Sequence, residues 1–189
     1  NDPTVELNPT LSWEVNVLAS KLIADHAIKN KVKKIIFLSS GSVYGIKKEK
    51  NVTEDMELEP LTDYSKFKAL CEEVLEQERE PGFSTVIIRP STVCGYAPRL
   101  RLDLTVNILT NHAIINQKIL VFGGNQKRPN IHIQDMVDLY LYLLSLPDNR
   151  IDGKIYNAGY ENLAVMKIAE IVKDTLSMDV DIEVSPTDD

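Results

Sequence analysis

The chain is poor in cysteine: it has only Cys71 and Cys94 in 189 residues, too few for a disulfide framework. It contains no run of the ~18 apolar residues that a membrane-spanning helix requires. Basic residues are in the minority, with 21 Lys and Arg against 28 Asp and Glu and a net charge of -7. Because no basic stripe is present, we expect neither a nucleic-acid partner nor a membrane partner. Histidine is also scarce, and no Cys, His and carboxylate residues cluster, so we expect no metal site.

Two segments carry the clearest chemical signal. The apolar run 35–38 predicts a buried parallel strand, and it is followed by the serine-rich segment 39–45, S-S-G-S-V-Y-G. A helix opens with Tyr64, and Lys68 lies one turn later on the same face. A neighbouring ammonium favours the phenolate and lowers a tyrosine pKa from about 10. A serine at the strand end beside this pair predicts proton transfer to or from a sugar or alcohol oxygen.

The rest of the chain alternates between helical and strand patterns, which indicates an α/β fold with a parallel sheet. The predicted helices are 9–29, 62–79, 103–116, 135–146 and a last one marked by apolar residues from 164 to 176. The predicted strands are 34–39, 84–89, 119–122, 154–158 and 180–184. We expect 47–60 to be a solvated acidic loop, 91–102 a polar loop and 123–129 a turn. In an open parallel sheet ligands bind past the carboxyl ends of the strands, where we place Ser40, Thr92 and Asn157.

At these residues the chain resembles the extended short-chain dehydrogenase/reductase family, in particular its nucleotide-sugar epimerases and dehydratases. Tyr64 and Lys68 match the family's Tyr-x-x-x-Lys pair, and Ser40 matches its strand-end Ser or Thr. Further segments match in the family's order, namely 16–19 (N-V-L-A), 89–95 (R-P-S-T-V-C-G), 128–135 (R-P-N-I-H-I-Q-D) and 155–159 (I-Y-N-A-G).

The resemblance implies a Rossmann-type, doubly wound parallel sheet with a small substrate-binding α/β portion. The family's phosphate loop, G-x-x-G-x-x-G, is missing, and the only adjacent glycines are Gly123 and Gly124. We therefore expect the first βαβ units to be absent from this chain. Residues 1–92, with 131–159 returning, are expected to belong to the dinucleotide-binding domain, and 93–130 with 160–189 to the substrate-binding portion.

The resemblance also implies the roles of individual residues. It makes Ser40, Tyr64 and Lys68 catalytic. The cofactor is NAD or NADP, with NAD favoured, and its expected contacts besides Tyr64 and Lys68 are Ser39, Pro90 and Val93. The substrate is a nucleotide-activated sugar, with expected contacts from Ser42, Thr92, Arg101 and Arg128.

Several of these residues also have a plain structural interpretation. Ser40 could merely bond the backbone at its strand end, and Arg128 beside Lys127 could lie in a solvated turn. Asn16 either has a purely structural role in its helix or, as the resemblance implies, orients the catalytic lysine. We expect His132 to be a satisfied core histidine and Asp135 to cap the helix that follows it.

Some positions depart from the family pattern. Thr92 and Cys94 stand where the family has Asn and Tyr, which bears on the pose of the sugar. Gly41 and Ser42 stand where the 4,6-dehydratase branch has an Asp-Glu pair after its strand-end Thr. Neither replacement can serve as the carboxylic acid that removal of water needs.

The sequence thus predicts an NAD(P)-dependent epimerase of a nucleotide sugar. A reductase or dehydratase of the same fold is the alternative enzyme, and a non-catalytic dinucleotide-sensing scaffold is the alternative of another class. We expect a homodimer through the helices 9–29 and 62–79, and a cytoplasmic location.

Overall fold

A computed structural model describes residues 2–49 and 51–186. The helices are α1 Asp2–Val5, α2 Pro9–Trp13, α3 Ala19–Lys29, α4 Asp63–Gln77, α5 Thr105–Asn116, α6 Ile133–Ser145, α7 Asp148–Ile151 and α8 Val165–Thr175. A π turn, Glu14–Leu18, joins α2 to α3, and a 3-10 helix covers Gly41–Tyr44. The strands are β1 Lys34–Leu38, β2 Ser84–Pro90, β3 Thr92–Cys94, β4 Lys118–Phe122, β5 Lys127–His132, β6 Lys154–Ala158, β7 Glu161–Ala164 and β8 Asp181–Ser185.

The chain forms two compact units. Unit 1 comprises Asn1–Ser91 with Leu139–Ala158, and unit 2 comprises Thr92–Asp138 with Gly159–Asp189. The sequence assigned 131–138 to the first part, whereas the structure groups these residues with unit 2. The functional assignment of each part stays a prediction.

Unit 1 contains a parallel sheet in the order β1-β2-β6. Lys34 pairs with Ser84 at the start of β1, and Val86 pairs with Lys154 at the start of β6. The central strand β2 is buried from Ser84 to Arg89. β1 was expected to be fully buried but is only half-buried, because it is an edge strand of the sheet formed by the described residues.

The predicted helix 9–29 exists, but it is not one uninterrupted α-helix. Asn8 caps its start by accepting from the Leu11 N–H at 3.0 Å, with Pro9 in the first position. The π turn then inserts one extra residue per turn around Asn16. Such an insertion leaves both flanking segments helical, so the apolar periodicity of the sequence does not reveal it.

Helix α4 was expected to begin at about Thr62, and it begins one residue later, at Asp63. The Thr62 hydroxyl accepts from the Ser65 N–H at 3.2 Å, and the Ser65 hydroxyl accepts from the Thr62 N–H at 3.0 Å. This reciprocal pair is a capping box. It fixes the first turn of the helix, where Tyr64 lies.

Unit 2 contains two further sheets, in addition to the parallel sheet of unit 1. β3 and β5 are parallel, β5 and β7 are antiparallel, and β4 pairs with β8 in parallel. Helices α5 and α8 pack on β4 around a core of Leu109, Ala113, Ile119, Val121, Ile168, Ala169, Val172 and Val180. Strands β3 and β7 and the start of β5 were not predicted as strands, because they are short or carry polar, exposed residues; only the end of β5, near His132, had a strand-like apolar pattern.

Two local predictions in unit 2 are also wrong. Asp135 was expected to cap the following helix, but that helix starts at Ile133 and Asp135 lies inside its first turn. His132 was expected in the core, but it is exposed at the end of β5, where its Nδ1 accepts from the Gln134 N–H at 3.2 Å.

No helix of the described residues is both long and apolar enough to span a membrane.

Candidate active site

Ser40 lies two residues after the end of β1 and caps the 3-10 helix. Its backbone is extended, with φ -157° and ψ 143°, and its Oγ accepts from the Ser42 N–H at 3.2 Å. The Ser40 and Ser42 hydroxyls also lie 2.8 Å apart. Both serines therefore present hydroxyls at the carboxyl end of the sheet, with Ser40 half-buried and Ser42 exposed.

Lys68 connects helix α4 to the same strand end. Its ammonium donates to the Leu38 carbonyl at 2.8 Å and lies 4.8 Å from the centre of the Phe37 ring. It is 5.9 Å from the centre of the Tyr64 ring, a distance at which a cation is attracted to the ring face. The structure thus places Lys68 beside Tyr64 and bonds it to Leu38, which precedes Ser40 by two residues.

Burial lowers the pKa of the Lys68 ammonium. Cys71 and Glu72 on the same helix oppose that shift. Removal from water disfavours a charged amine, whereas a nearby negative charge favours it. The pKa of Lys68 is therefore set by burial and by neighbouring groups, as is common for residues at functional sites.

The structure reveals a buried polar network that the sequence did not predict. The Arg89 guanidinium donates to the Glu72 carboxylate through Nη2 at 2.7 Å and Nε at 3.1 Å. The Nη1 of Arg89 donates to the Tyr44 hydroxyl at 2.7 Å. That hydroxyl in turn donates to Asn157 Oδ1 at 2.7 Å. The Ser39 hydroxyl donates to Glu72 as well. We call Ser39, Tyr44, Glu72, Arg89 and Asn157 the carboxyl-end network.

Two signals in the sequence pointed to this network. Glu72 continues the spacing of four from Tyr64 and Lys68, which places it on the same helix face. Arg89 ends an otherwise apolar run, and a charge in a buried strand needs a partner. Asn157 lies inside β6 rather than past its end, which corrects its expected place.

The acidic loop was expected to be a solvated face, and Thr53, Glu54 and Asp55 are indeed exposed, but the loop is also bonded to the sheet. Glu54 accepts the Asn157 N–H at 2.7 Å through its carboxylate and Arg89 Nη1 at 3.2 Å through its carbonyl. The Val52 carbonyl accepts Asn157 Nδ2 at 3.0 Å. These contacts fasten the loop to β2 and β6.

Ser39 and Pro90, the two further cofactor contacts expected in unit 1, have different surroundings. Ser39 is buried and its hydroxyl proton is used by Glu72. Pro90 ends β2, and an ideal Cβ placed on Gly41 would lie 3.1 Å from the Pro90 carbonyl oxygen. A side chain at position 41 would therefore require the end of β2 to move.

The expected contacts in unit 2, namely Val93 to the cofactor and Thr92, Arg101 and Arg128 to the substrate, have varied surroundings. Thr92 and Val93 are half-buried in β3. Arg101 is exposed and forms a two-point ion pair with Asp103 at 2.6 and 3.1 Å. Arg128 is exposed, and its Nη1 donates to the Lys127 carbonyl at 3.1 Å.

Asn16 makes contacts that fit its structural interpretation. Its side-chain amide donates to the Ser12 carbonyl at 2.7 Å. Its own carbonyl accepts from Ser20 Oγ at 2.6 Å and from Cys71 Sγ at 3.4 Å. The π turn thus connects to α4 through Cys71, which is buried as expected. An orienting role toward Lys68 stays a prediction.

Within the described ranges no three His, Cys, Asp or Glu side chains come together to hold a metal ion.

Comparison with known proteins gives a consistent result. The model of the NAD dependent epimerase/dehydratase family matches residues 2–159. An uncharacterized UDP-glucose epimerase of Bacillus subtilis is 29% identical over 162 residues, covering 84% of this chain and 50% of that protein. A dTDP-D-glucose 4,6-dehydratase of Bos taurus is 28% identical over 172 residues, covering 86% of this chain and 46% of that protein.

A solved structure shares the fold. The UDP-N-acetylglucosamine 4-epimerase from Methanobrevibacter ruminantium superposes with a TM-score of 0.84 at 22% identity, covering 98% of this chain and 60% of that one. The expected α/β fold of Rossmann type is thereby confirmed. The chain spans about half the length of the two curated relatives.

Proposed function

Because the chain belongs to the NAD dependent epimerase/dehydratase family, we propose that the whole protein epimerises a nucleotide-activated sugar with NAD as cofactor. The observation that carries the proposal is the placement of Lys68, which bonds the Leu38 carbonyl at 2.8 Å and lies over the Tyr64 ring. Ser40 follows that strand end by two residues. An acid-base pair and a hydroxyl donor are thus supplied by adjoining elements.

The donors present fit the nicotinamide ribose. An ammonium has three N–H donors, and Lys68 spends one on the Leu38 carbonyl, so others can meet ribose hydroxyls. The glycine loop that would hold the cofactor diphosphate is not among these 189 residues. We propose that chain beyond them supplies it. Contacts from Pro90 and Val93 to the cofactor are part of this proposal, whereas the hydroxyl of Ser39 is bonded to Glu72 and is not proposed as a cofactor contact.

The mechanism follows from these side chains. Tyr64, as phenolate, accepts a proton from a sugar hydroxyl, and the Ser40 hydroxyl bonds the same oxygen. The Lys68 ammonium favours the phenolate. The chemistry that a nicotinamide held beside these groups would supply is reversible acceptance of hydride, with return to the opposite face giving the epimer. Tyr64 would return its proton to the oxygen as the keto sugar is reduced.

We assign recognition of the nucleotide diphosphate to Arg128. Its guanidinium fork matches phosphate oxygens, and in the described part of the chain the guanidinium donates to the carbonyl of Lys127. Ser42, Thr92 and Arg101 are proposed as further contacts to the substrate. For Arg101 this requires the ion pair with Asp103 to rearrange or to be shared.

The family also contains dehydratases, so a dehydratase is the second candidate. The close approach of Gly41 to the Pro90 carbonyl argues against the 4,6-dehydratase branch. An aspartate at position 41 would not fit without a shift of β2, and Ser42 is far too weak an acid to replace a glutamate. A reductase and a non-catalytic scaffold remain as further alternatives.

We also propose a homodimer through the helical segment 9–29 and α4. Four apolar residues of the first segment recur at helical spacing and are exposed, namely Leu11, Val15, Leu18 and Leu22. Leu70 on α4 is exposed as well. Such a stripe is typical of an interface. The cytoplasmic location stays a prediction.

The test is incubation of the full-length protein with UDP-, GDP-, CDP- and dTDP-hexoses, followed by mass spectrometry and chromatography of the sugars. We expect an epimer of unchanged mass from at least one substrate. A product lighter by one water would assign the dehydratase activity instead. Absence of turnover on every substrate would contradict the proposal and favour the reductase or the scaffold.

A further inference from the structure

Two adjacent turns of α4 hold two adjacent residues at the end of β1. Lys68 donates to the Leu38 carbonyl at 2.8 Å. One turn later, the buried Glu72 carboxylate accepts the hydroxyl of Ser39. Leu38 and Ser39 directly precede Ser40, so the position of this serine depends on both contacts.

Glu72 also controls the far end of the serine segment. It binds Arg89 at 2.7 Å, and both side chains are at most 6% exposed. Arg89 in turn donates to the hydroxyl of Tyr44 at 2.7 Å. The 3-10 helix that Ser40 caps ends at Tyr44. A single buried carboxylate is therefore linked to the residue before Ser40 and, through Arg89, to the last residue of that helix.

We propose that Glu72 is a positioning residue, which fixes the Ser40 hydroxyl relative to Tyr64 and Lys68 through Ser39 and Arg89. This inference rests on the proposed function of those three residues. Removal of a buried ion pair in favour of apolar side chains is often neutral for stability. The contribution of Glu72 that we infer lies in geometry, because small displacements of reacting groups cost large factors in rate.

Ser39→Ala in the full-length protein isolates the link. It removes the hydroxyl that Glu72 holds and leaves the ion pair with Arg89 intact. Glu73→Gln is the matched control, because Glu73 is the exposed neighbour on the same helix. Glu72→Gln and the double variant with Ser39→Ala complete a double-mutant cycle.

The first readout needs no activity. Amide hydrogen exchange, followed by mass spectrometry of peptides covering 38–44, reports how firmly the serine segment is held. We expect faster exchange there in Ser39→Ala and Glu72→Gln and no change in Glu73→Gln. Unchanged exchange in Ser39→Ala would overturn the proposal. If the full-length protein turned over no nucleotide sugar, the proposed function would fail. Hydrogen exchange would still test whether Glu72 holds the serine segment through Ser39.

The second readout is kinetic. We expect kcat to fall by about tenfold to a hundredfold in Ser39→Ala with KM for the sugar and for NAD unchanged. The double variant should lose no more than the worse single variant, since both remove the same contact. Faster exchange with normal kcat would make the link purely structural and overturn the proposal. A raised KM for NAD with normal kcat would do the same by making Ser39 a cofactor contact.

Discussion

At the scale of single residues, removal of the Tyr64 hydroxyl distinguishes an effect on catalysis from an effect on folding. Tyr64→Phe removes the proton acceptor and keeps the ring against which the Lys68 ammonium lies. We expect kcat of the full-length protein on its nucleotide sugar to fall by several powers of ten, with the melting temperature unchanged. Tyr160→Phe is the control, since Tyr160 is 81% exposed. Near-normal turnover of Tyr64→Phe would refute the proposed chemistry.

Arg128 gives a second prediction at this scale. Arg128→Ala should raise KM for the nucleotide sugar and leave folding unchanged, because it loses a charge-assisted bond of about 1.5–3 kcal/mol to phosphate. Arg150→Ala, at another exposed arginine, is the matched control. Steady-state kinetics at several substrate concentrations separates KM from kcat. An unaltered KM would contradict this role and favour the structural interpretation, in which Arg128 lies in a solvated turn.

The residues readable from the sequence are those whose signal is local. Ser40, Tyr64 and Lys68 each lie at a fixed spacing within one strand end or one helix turn. Glu72 and Arg89 were not identified, although both stand out by position, because their pairing joins residues 17 apart along the chain and becomes visible only when α4 packs on β2. Long-range pairing of this kind leaves no periodic trace.

At the scale of elements, Lys34 links β1 to the end of α6. Its Nζ donates to the carbonyls of Leu143, Leu144 and Leu146 at 3.3, 3.4 and 2.7 Å, and it pairs with Asp148 at 3.3 Å. Lys34→Met would leave these acceptors unpaired, and we expect a loss of about 1–3 kcal/mol in the free energy of unfolding. Urea titration measures it, with the exposed Lys33→Met as control. Equal stabilities of the two variants would contradict this role.

Asp152 predicts a dependence of stability on pH. Burial would raise the pKa of its carboxyl, but the Thr85 N–H at 3.0 Å and Arg79 at 3.1 Å outweigh it and hold the pKa below its usual range. A carboxyl whose pKa is depressed on folding stabilises the protein above its unfolded pKa of about 3.9. That contribution is lost as pH falls through the folded value.

Urea unfolding between pH 5 and pH 3 tests this contribution. Asp152→Asn should reduce the fall in the free energy of unfolding over that range, because position 152 no longer binds a proton on unfolding. Asp179→Asn, at an exposed carboxylate of unit 2, should leave the fall unchanged. Identical pH dependence in both variants and the unaltered protein would show that Asp152 does not contribute.

Elements were predictable where their apolar pattern was long. The bounds predicted for α4, α5, α8, β2 and β6 lie within two residues of the observed ones at each end. β3 has three residues, and the start of β5 reads Lys-Arg-Pro-Asn, so neither shows the alternation of a half-buried strand. Each strand is stabilised by pairing with a distant segment, and the sequence of one segment alone does not reveal that pairing.

At the scale of the whole molecule, we expect these 189 residues on their own not to bind NAD at micromolar affinity. Their sequence lacks the glycine loop expected to hold the cofactor diphosphate. β1 is an edge of the described sheet, and apolar side chains such as Leu22 and Leu141 are exposed, which favours poor solubility. Isothermal titration calorimetry with NAD checks the affinity, with the full-length protein as control. Micromolar binding by the 189 residues alone would show that the loop is dispensable.

The close approach of position 41 to the Pro90 carbonyl bears on which changes the serine segment can accept. An ideal Cβ on Gly41 would lie 3.1 Å from that oxygen, so an aspartate there requires the end of β2 to give by a few tenths of an ångström. A glutamate at Ser42 alone would supply one carboxyl without the neighbouring one. The effect of an exchange at positions 41 and 42 should therefore depend on the residues around Pro90, and the same pair of substitutions need not act alike in another member of the family.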